Sequence, residues 1–209
     1  MEIQYFGANT IKIASKKASI IVDDNLSELG QKSVSSKNDI SIYTSKLVPH
    51  TSGTRFVIDS PGEYELSNAS ITGIATRSHM EEGKDESATM YRIILDDARI
   101  AVVGHIYPEL SDDQLEALGT IDILLIPVGG NGYTLDGVGA QKIIKKIEPK
   151  LVIPTHYADK EIKYEVPQAE LAEALKGIAM EPTDTVDSLK LKGLDLTDTT
   201  KLIVLNRVT

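Results

Sequence analysis

The feature that most constrains this chain is a series of short aliphatic runs, each stopping at a glycine or a histidine. Ile121–Val128 (IDILLIPV) closes on Gly129-Gly130, Leu151–Pro154 leads into Thr155-His156, and IAVV leads into Gly104-His105. Val, Ile and Leu dominate these runs, which suits strands buried on both faces rather than amphipathic helices. Further strands are expected at Ile3–Phe6, Thr10–Ala14, Ala18–Asp23, Asp39–Thr44, Arg55–Asp59, Glu63–Glu65, Ala69–Thr76, Met90–Asp96 and Ala98–Val103. Ser111 caps a short helix, with Gln114 three residues on as its capping-box partner. Helices are also expected over Gly137–Ile147 and Gln168–Ile178, and closing strands over Ser188–Lys192 and Lys201–Asn206. Two strand-rich halves, each followed by helices, predict two sheets packed face to face with helices outside, in one domain spanning 1–209.

Composition narrows the partners. The formal net charge of −9 opposes a nucleic-acid backbone, whose non-specific affinity comes from Lys and Arg, and it equally disfavours anionic membranes. The Lys142, Lys145 and Lys146 cluster lies on one expected helix and reads as a solvated face. No apolar run approaches the ~20 residues a membrane-spanning helix needs, and the first residues carry no leader pattern. A cytoplasmic protein acting on a small molecule is the expectation, with its oligomeric state open. The polar stretch Asn25–Asn38 and the loop Glu81–Ser87 punctuate the pattern, and the latter is the expected mobile element.

With no cysteine, any metal must be held by imidazoles and carboxylates. The chain has four histidines, His50, His79, His105 and His156, and each follows an expected strand. Strand ends on one side of a β-scaffold can converge ligands on one edge. The alternative is that each is an independent loop or surface residue.

Larger blocks of sequence then align with a known pattern. FGANTIKIAS at 6–15, IIVDD at 20–24, SPGEYEL at 60–66, GIATRSH at 73–79 and IAVVGH at 100–105 come in order. IDILLIPVGGNGYTLDG at 121–137 and EPKLVIPTHY at 148–157 follow them. Together they resemble the lactonase-like branch of the metallo-β-lactamase superfamily, similar to ascorbate-6-phosphate lactonase. The resemblance implies an α+β fold, a four-layer αββα sandwich, and a hydrolase with a metal site.

It also implies where the ligands belong. In that family a His-x-His-x-Asp-His loop follows a strand, and here the loop is Ser45-Lys46-Leu47-Val48-Pro49-His50, which keeps only His50. His79 and His156 match the later histidines, and His105 of Gly104-His105 replaces a bridging Asp. Leu47 and Pro49 offer no ligand atom. The expected site is therefore at most mononuclear: one zinc, or manganese, or none, with His50, His79, His105 and His156 as candidate ligands. His105 and His156 are the candidate catalytic residues, for hydrolysis of a small ester, lactone or phosphorylated metabolite. The competing expectation is a catalytically inactive descendant that binds a ligand or partner. Tyr133, in the loop with Gly129, Gly130 and Gly132, and Tyr157 are each readable as site residues or as packing. Glu63 and Glu65 read as a solvent-facing strand, and Lys46 as a weak stand-in for lost metal charge.

Overall fold

The computed structural model describes residues 1–46, 48–50, 53–79, 87–191 and 199–209. The aliphatic runs form strands as expected. The first sheet takes β1 (Glu2–Gly7), β2 (Thr10–Ala14), β3 (Ser19–Val22), β4 (Ile40–Ile42) and β5 (Phe56–Ile58). The second takes β6 (Gly62–Leu66), β7 (Ala69–Thr76), β8 (Ala88–Leu95), β9 (Ala98–Val102), β10 (Ile123–Pro127) and β11 (Leu151–Thr155). Helices α1 (Asp112–Leu118), α2 (Gly137–Ile147) and α3 (Leu171–Ile178) alternate with β10 and β11, and the short strands β12 (Asp184–Val186), β13 (Leu189–Lys190) and β14 (Lys201–Leu205) follow α3. The strand order is β13-β1-β2-β3-β4-β5 in one sheet and β12-β14-β11-β10-β9-β8-β7-β6 in the other.

The two sheets meet through a core of aliphatic side chains and buried tyrosines. Ile3, Ile11, Ile13, Ile20 and Ile42 of the first sheet face Ile71, Tyr91, Ile93, Ile100, Leu125 and Ile153 of the second. In β1 the burial alternates, because Ile3 and Tyr5 point inward while Gln4 and Phe6 do not. β10 and β11 are buried along their whole length, since a second core covers their other face. That core takes Leu118 from α1, Ala140, Ile143, Ile144 and Ile147 from α2, and Ala174 and Ile178 from α3. The α+β sandwich expected from the resemblance is the observed architecture. The described helices lie on the eight-stranded sheet, while a smaller cluster of Ala8, Leu26, Leu29 and Ile162 gathers loop residues with Phe6 and Tyr164.

Helix ends follow local chemistry. Ser111 and Gln114 form the reciprocal capping box, and Asp136 caps α2 through Gly139 N–H at 2.7 Å. α3 begins at Leu171 rather than at Gln168, because Gln168 and Ala169 are committed elsewhere. Gln168 bonds to a histidine ring, and Ala169 N–H donates to Gly129 O at 2.8 Å. The loop expectation for Glu81–Ser87 lies outside the described residues except for Ser87, as does Lys192 of the expected closing strand. No described helix is long and apolar enough to cross a membrane.

Candidate active site

Strands β9, β10 and β11 run parallel in adjacent positions, so the residues after their C-terminal ends share one edge of the sheet. Such edges gather ligand sites in α/β sheets because the connecting loops are free to vary there. His105 follows β9 and His156 follows β11. Their rings meet edge to face with centroids 5.2 Å apart and planes at 87°. Both are almost wholly buried, at 6% and 4% exposure. Tyr133, from the glycine-rich loop after β10, stands 5.1 Å from His105 and 5.6 Å from His156. Tyr164 lies 5.3 Å from the His156 ring.

The backbone is bent to make this arrangement. His156 has φ of 54°, a left-handed conformation rare for a side-chain-bearing residue, held by its N–H donating to Ala8 O at 2.7 Å. A Cβ on Gly129 would lie 2.1 Å from the His156 carbonyl oxygen and 2.0 Å from Gln168 Oε1, so only glycine permits this approach. Asp23, just past β3, is left-handed as well, with φ of 41°. Strained, non-glycine backbone of this kind gathers at functional sites.

Hydrogen bonds fix both imidazole tautomers. Gln168 Nε2 donates to Val166 O at 2.7 Å, which turns Oε1 toward His156 Nδ1 at 3.1 Å. Nδ1 of His156 therefore carries the proton and Nε2 the lone pair. Thr44 Oγ1 donates to Asp23 Oδ2 at 2.5 Å, so the same oxygen meets His105 Nδ1 at 3.4 Å as an acceptor. His105 is thus also an Nδ1–H tautomer. Burial first, then the neighbouring His79, pushes the His105 pKa down to about 4. Burial first, then His105, pushes that of His156 to about 3, against the raising effect of Gln168. Both rings are neutral at pH 7. Two neutral imidazoles with their outer nitrogens bare are what a metal-binding pair presents, oriented by partners on the inner nitrogens.

The other two histidines are engaged differently. His79 N–H donates to His105 O at 2.8 Å, and its ring lies 6.2 Å from that of Tyr107. Its pKa is lowered, mainly by burial. His50 stacks on Tyr43 at 4.2 Å and sets Nε2 3.7 Å from Asp59 Oδ2 at an exposed position. The structure thus brings His105 and His156 into ring contact and ties His79 to them through the backbone, while His50 makes its contacts with Tyr43 and Asp59. Among the described residues no group of three or more His, Cys, Asp or Glu is arranged to hold a metal ion. Leu47, in the ligand loop, lies outside the described residues.

A cavity of about 120 Å³ opens beside His156. Its walls include Tyr133, Tyr164 and Gln168, and Glu28 and Glu165 stand at its rim without a lysine or arginine among the described lining residues. Burial first, then Glu165 and Asp23, raises the Tyr133 pKa, so its phenol stays protonated. Tyr157, by contrast, is a packing residue: its ring lies 5.6 Å from that of Tyr5 and its hydroxyl donates to Leu205 O.

Several site residues escape a reading of motifs. Asp23 accepts from Asn9 Nδ2 at 2.7 Å and from Thr44 N at 2.7 Å, and Asn9 Oδ1 accepts from Thr155 Oγ1 at 2.6 Å. A carboxylate placed directly after the apolar run SIIV is the signal that points to Asp23. Gln168 and Tyr164 sit in a segment with no such signal.

Residues 2–156 match the β-lactamase superfamily domain. The chain belongs to the metallo-β-lactamase superfamily. A protein of Thermoplasma acidophilum named as a metal-dependent hydrolase is 33% identical over 108 residues, covering 50% of this chain and 47% of the relative. A protein of Thermococcus onnurineus with the same designation is 29% identical over 122 residues, covering 57% and 53%. The chain thus spans about half the length of these superfamily relatives. A crystal structure from Thermotoga maritima, assigned to the zinc-dependent hydrolases of the superfamily, superposes with a TM-score of 0.74 at 23% identity, covering 98% of each chain. An isothiocyanate hydrolase from Delia radicum gut bacteria superposes at 0.61 with 11% identity, over 98% and 96%. At these identities the structures support the fold alone.

Proposed function

We propose that the protein is a hydrolase of a small uncharged ester or lactone, working at the cavity beside His156, whose ring touches that of His105, with at most one metal ion. The observation that carries this reading is the pair of adjacent, buried, neutral imidazoles whose Nε2 atoms are left bare by bonds at Nδ1. The donor set does not fit the two-ion centre of the superfamily, because Ser45, Leu47 and Pro49 stand where that centre needs ligands. His105 and His156 would supply two imidazole ligands to a single zinc or manganese ion, one fewer than a usual catalytic zinc site has, with the remaining positions left to water and substrate. Such an ion, when bound, polarises a carbonyl and lowers the pKa of its water toward ~7.

The chain's own residues account for the rest. The protonated Tyr133 phenol can donate to a substrate oxygen, and Gln168 keeps His156 facing outward. Glu28 and Glu165 at the rim oppose a phosphorylated substrate, which narrows the class to uncharged esters and lactones. A second reading is favoured by one observation, the lack of a third described ligand: a catalytically inactive protein that binds a small molecule in the same cavity.

Thermal melts with and without zinc separate the two. A metal that binds only the folded state stabilises it by mass action, by about 2.7 kcal/mol at a hundredfold excess over Kd, and so raises the melting temperature. The parent should respond, and His105→Ala and His156→Ala should not. Elemental analysis should give no more than one equivalent per chain, and ester hydrolysis should exceed phosphomonoester hydrolysis. A parent indifferent to zinc and inert on esters overturns the hydrolase reading.

A further inference from the structure

We infer that Asp23, acting through the Thr44 hydroxyl, is the positioning residue that keeps the His105 proton on Nδ1 and leaves Nε2 bare toward the site. His105 and Asp23 do not touch. Thr44 stands between them, and its single hydroxyl hydrogen decides the matter.

That hydrogen goes to the carboxylate. Thr44 Oγ1 lies 2.5 Å from Asp23 Oδ2, a short charge-assisted bond, and 3.4 Å from His105 Nδ1. With its hydrogen spent on Asp23, the oxygen shows only a lone pair to the ring, so Nδ1 must be the protonated nitrogen. Asp23 cannot turn away. Thr44 N–H holds Oδ1 at 2.7 Å, Asn9 Nδ2 holds Oδ2 at 2.7 Å, and Asn9 is itself fixed by Thr155. Every partner is a donor, so the carboxylate faces Thr44 as a pure acceptor.

Close packing keeps Thr44 against the histidine. A Cβ at Gly104 would fall 2.2 Å from both Cβ and Oγ1 of Thr44, and Gly104 has φ of 58°. The residue before His105 is therefore one that lets the Thr44 side chain lie directly on the backbone. Three strand ends, those of β3 and β4 in one sheet and of β9 in the other, deliver the acceptor, the relay and the imidazole. The bearing of this relay on function rests on His105 being a site residue, but the location of its proton is measurable whether or not a metal binds.

The test is a two-bond proton–nitrogen correlation spectrum of the histidine rings. It uses ¹⁵N-labelled full-length protein at fixed neutral pH with a chelator present. In the parent, His105 should be mainly the Nδ1–H tautomer. Asp23→Asn should reverse it: an amide offers one acceptor atom, which cannot serve Thr44 N–H, Asn9 Nδ2 and Thr44 Oγ1 together, so the Thr44 hydroxyl loses its carboxylate partner. The hydroxyl hydrogen is then free to point at Nδ1, and the ring proton moves to Nε2. Thr44→Val should abolish the preference, and Thr44→Ser should restore it. His156, held by Gln168, should remain Nδ1–H in all four proteins and so report that the site is still folded. If Asp23→Asn does not fold, the Thr44 pair decides alone, since valine and serine bracket the hydroxyl with small changes in size. A parent ring protonated at Nε2 overturns the inference, as does a His105 tautomer unchanged in both Thr44→Val and any folded Asp23→Asn.

Discussion

Asp23 and Asp122 are both buried aspartates at the ends of strands, and their surroundings are opposite. Asp122 stands just before β10. Arg99 Nε meets its Oδ2 at 2.9 Å, an Arg99 terminal nitrogen meets Oδ1 at 2.9 Å, and Lys150 Nζ adds 3.2 Å. The Arg99 bonds first, with Lys150 contributing, hold its carboxyl down to about 2. Asp23 stands just after β3, and among the described residues no cation pairs with it. Burial raises its pKa to about 6, against the lowering effect of the Thr44 and Asn9 bonds. Asp122 ties together the entry ends of β9, β10 and β11, whereas Asp23 belongs to the polar cluster at the exit ends that carry His105 and His156. One end of the sheet pairs its carboxylate with cations; the other holds a carboxylate and two imidazoles by neutral hydrogen-bond partners. Groups left in that state mark a site rather than a brace.

The comparison breaks most visibly at Asp122. Asp122→Asn removes a paired, hydrogen-bonded charge and leaves Arg99 and Lys150 without their anion, though both cations retain some exposure to water. A loss of about 2 kcal/mol is expected in urea unfolding at pH 7. Because the folded pKa of Asp122 is depressed, its contribution is present above the unfolded value and fades as pH falls toward about 2. The deficit of the variant should therefore shrink in acid.

Asp23→Asn should cost less, about 1 kcal/mol or below at pH 7, since it also removes a buried charge with no cation beside it. Here the pH sign is reversed. The folded pKa lies above the unfolded one, so native Asp23 gains stability as pH falls from about 6 toward 4. The variant's relative deficit should widen between pH 7 and pH 5. A loss at pH 7 equal to that of Asp122→Asn would erase the contrast between the two ends.

A further expectation concerns the imidazoles. His105 and His156 have folded pKa values below the ordinary ~6.5, so the unfolded chain binds more protons between that value and about 4. The stability they permit at pH 7 is lost as pH drops through that window, partly offset by Asp23. Parent stability should fall from pH 7 to pH 5, and His156→Gln should flatten the slope. An equal slope in the variant would mean that His156 titrates normally.

Much of this was legible in the sequence, for reasons specific to each element. Helix α2 is found where Gly137–Ile147 predicts it, since Asp136 is a good N-cap and the apolar positions repeat with helical spacing. Strands β2 and β7 match their expected limits for a similar reason, their apolar residues being bounded by turns. β12 was missed because Asp184 and Thr185 are exposed and carry no apolar signal; its pairing with β14 is a backbone affair. At the site, glycine and histidine after apolar runs marked His105 and His156. What the sequence did not show was Asp23 reaching His105 through Thr44, a chain of contacts made by tertiary packing across three strand ends. Nor did it show Gln168 leaving its helix to orient His156.

The bond from Thr155 to Asn9 joins residues 146 positions apart, and His156 N–H reaches back to Ala8 O over a similar span. Loop closure over such a distance is slow and entropically demanding, and a chain emerging from the ribosome meets it late. Strands β1 to β3 can pair locally while Asn9 still lacks its partner. The polar cluster closes only when β11 has been synthesised and docked. A nascent or truncated chain would thus carry much of the β-scaffold without an organised His105–His156 edge, so that competence at this edge reports the completion of folding.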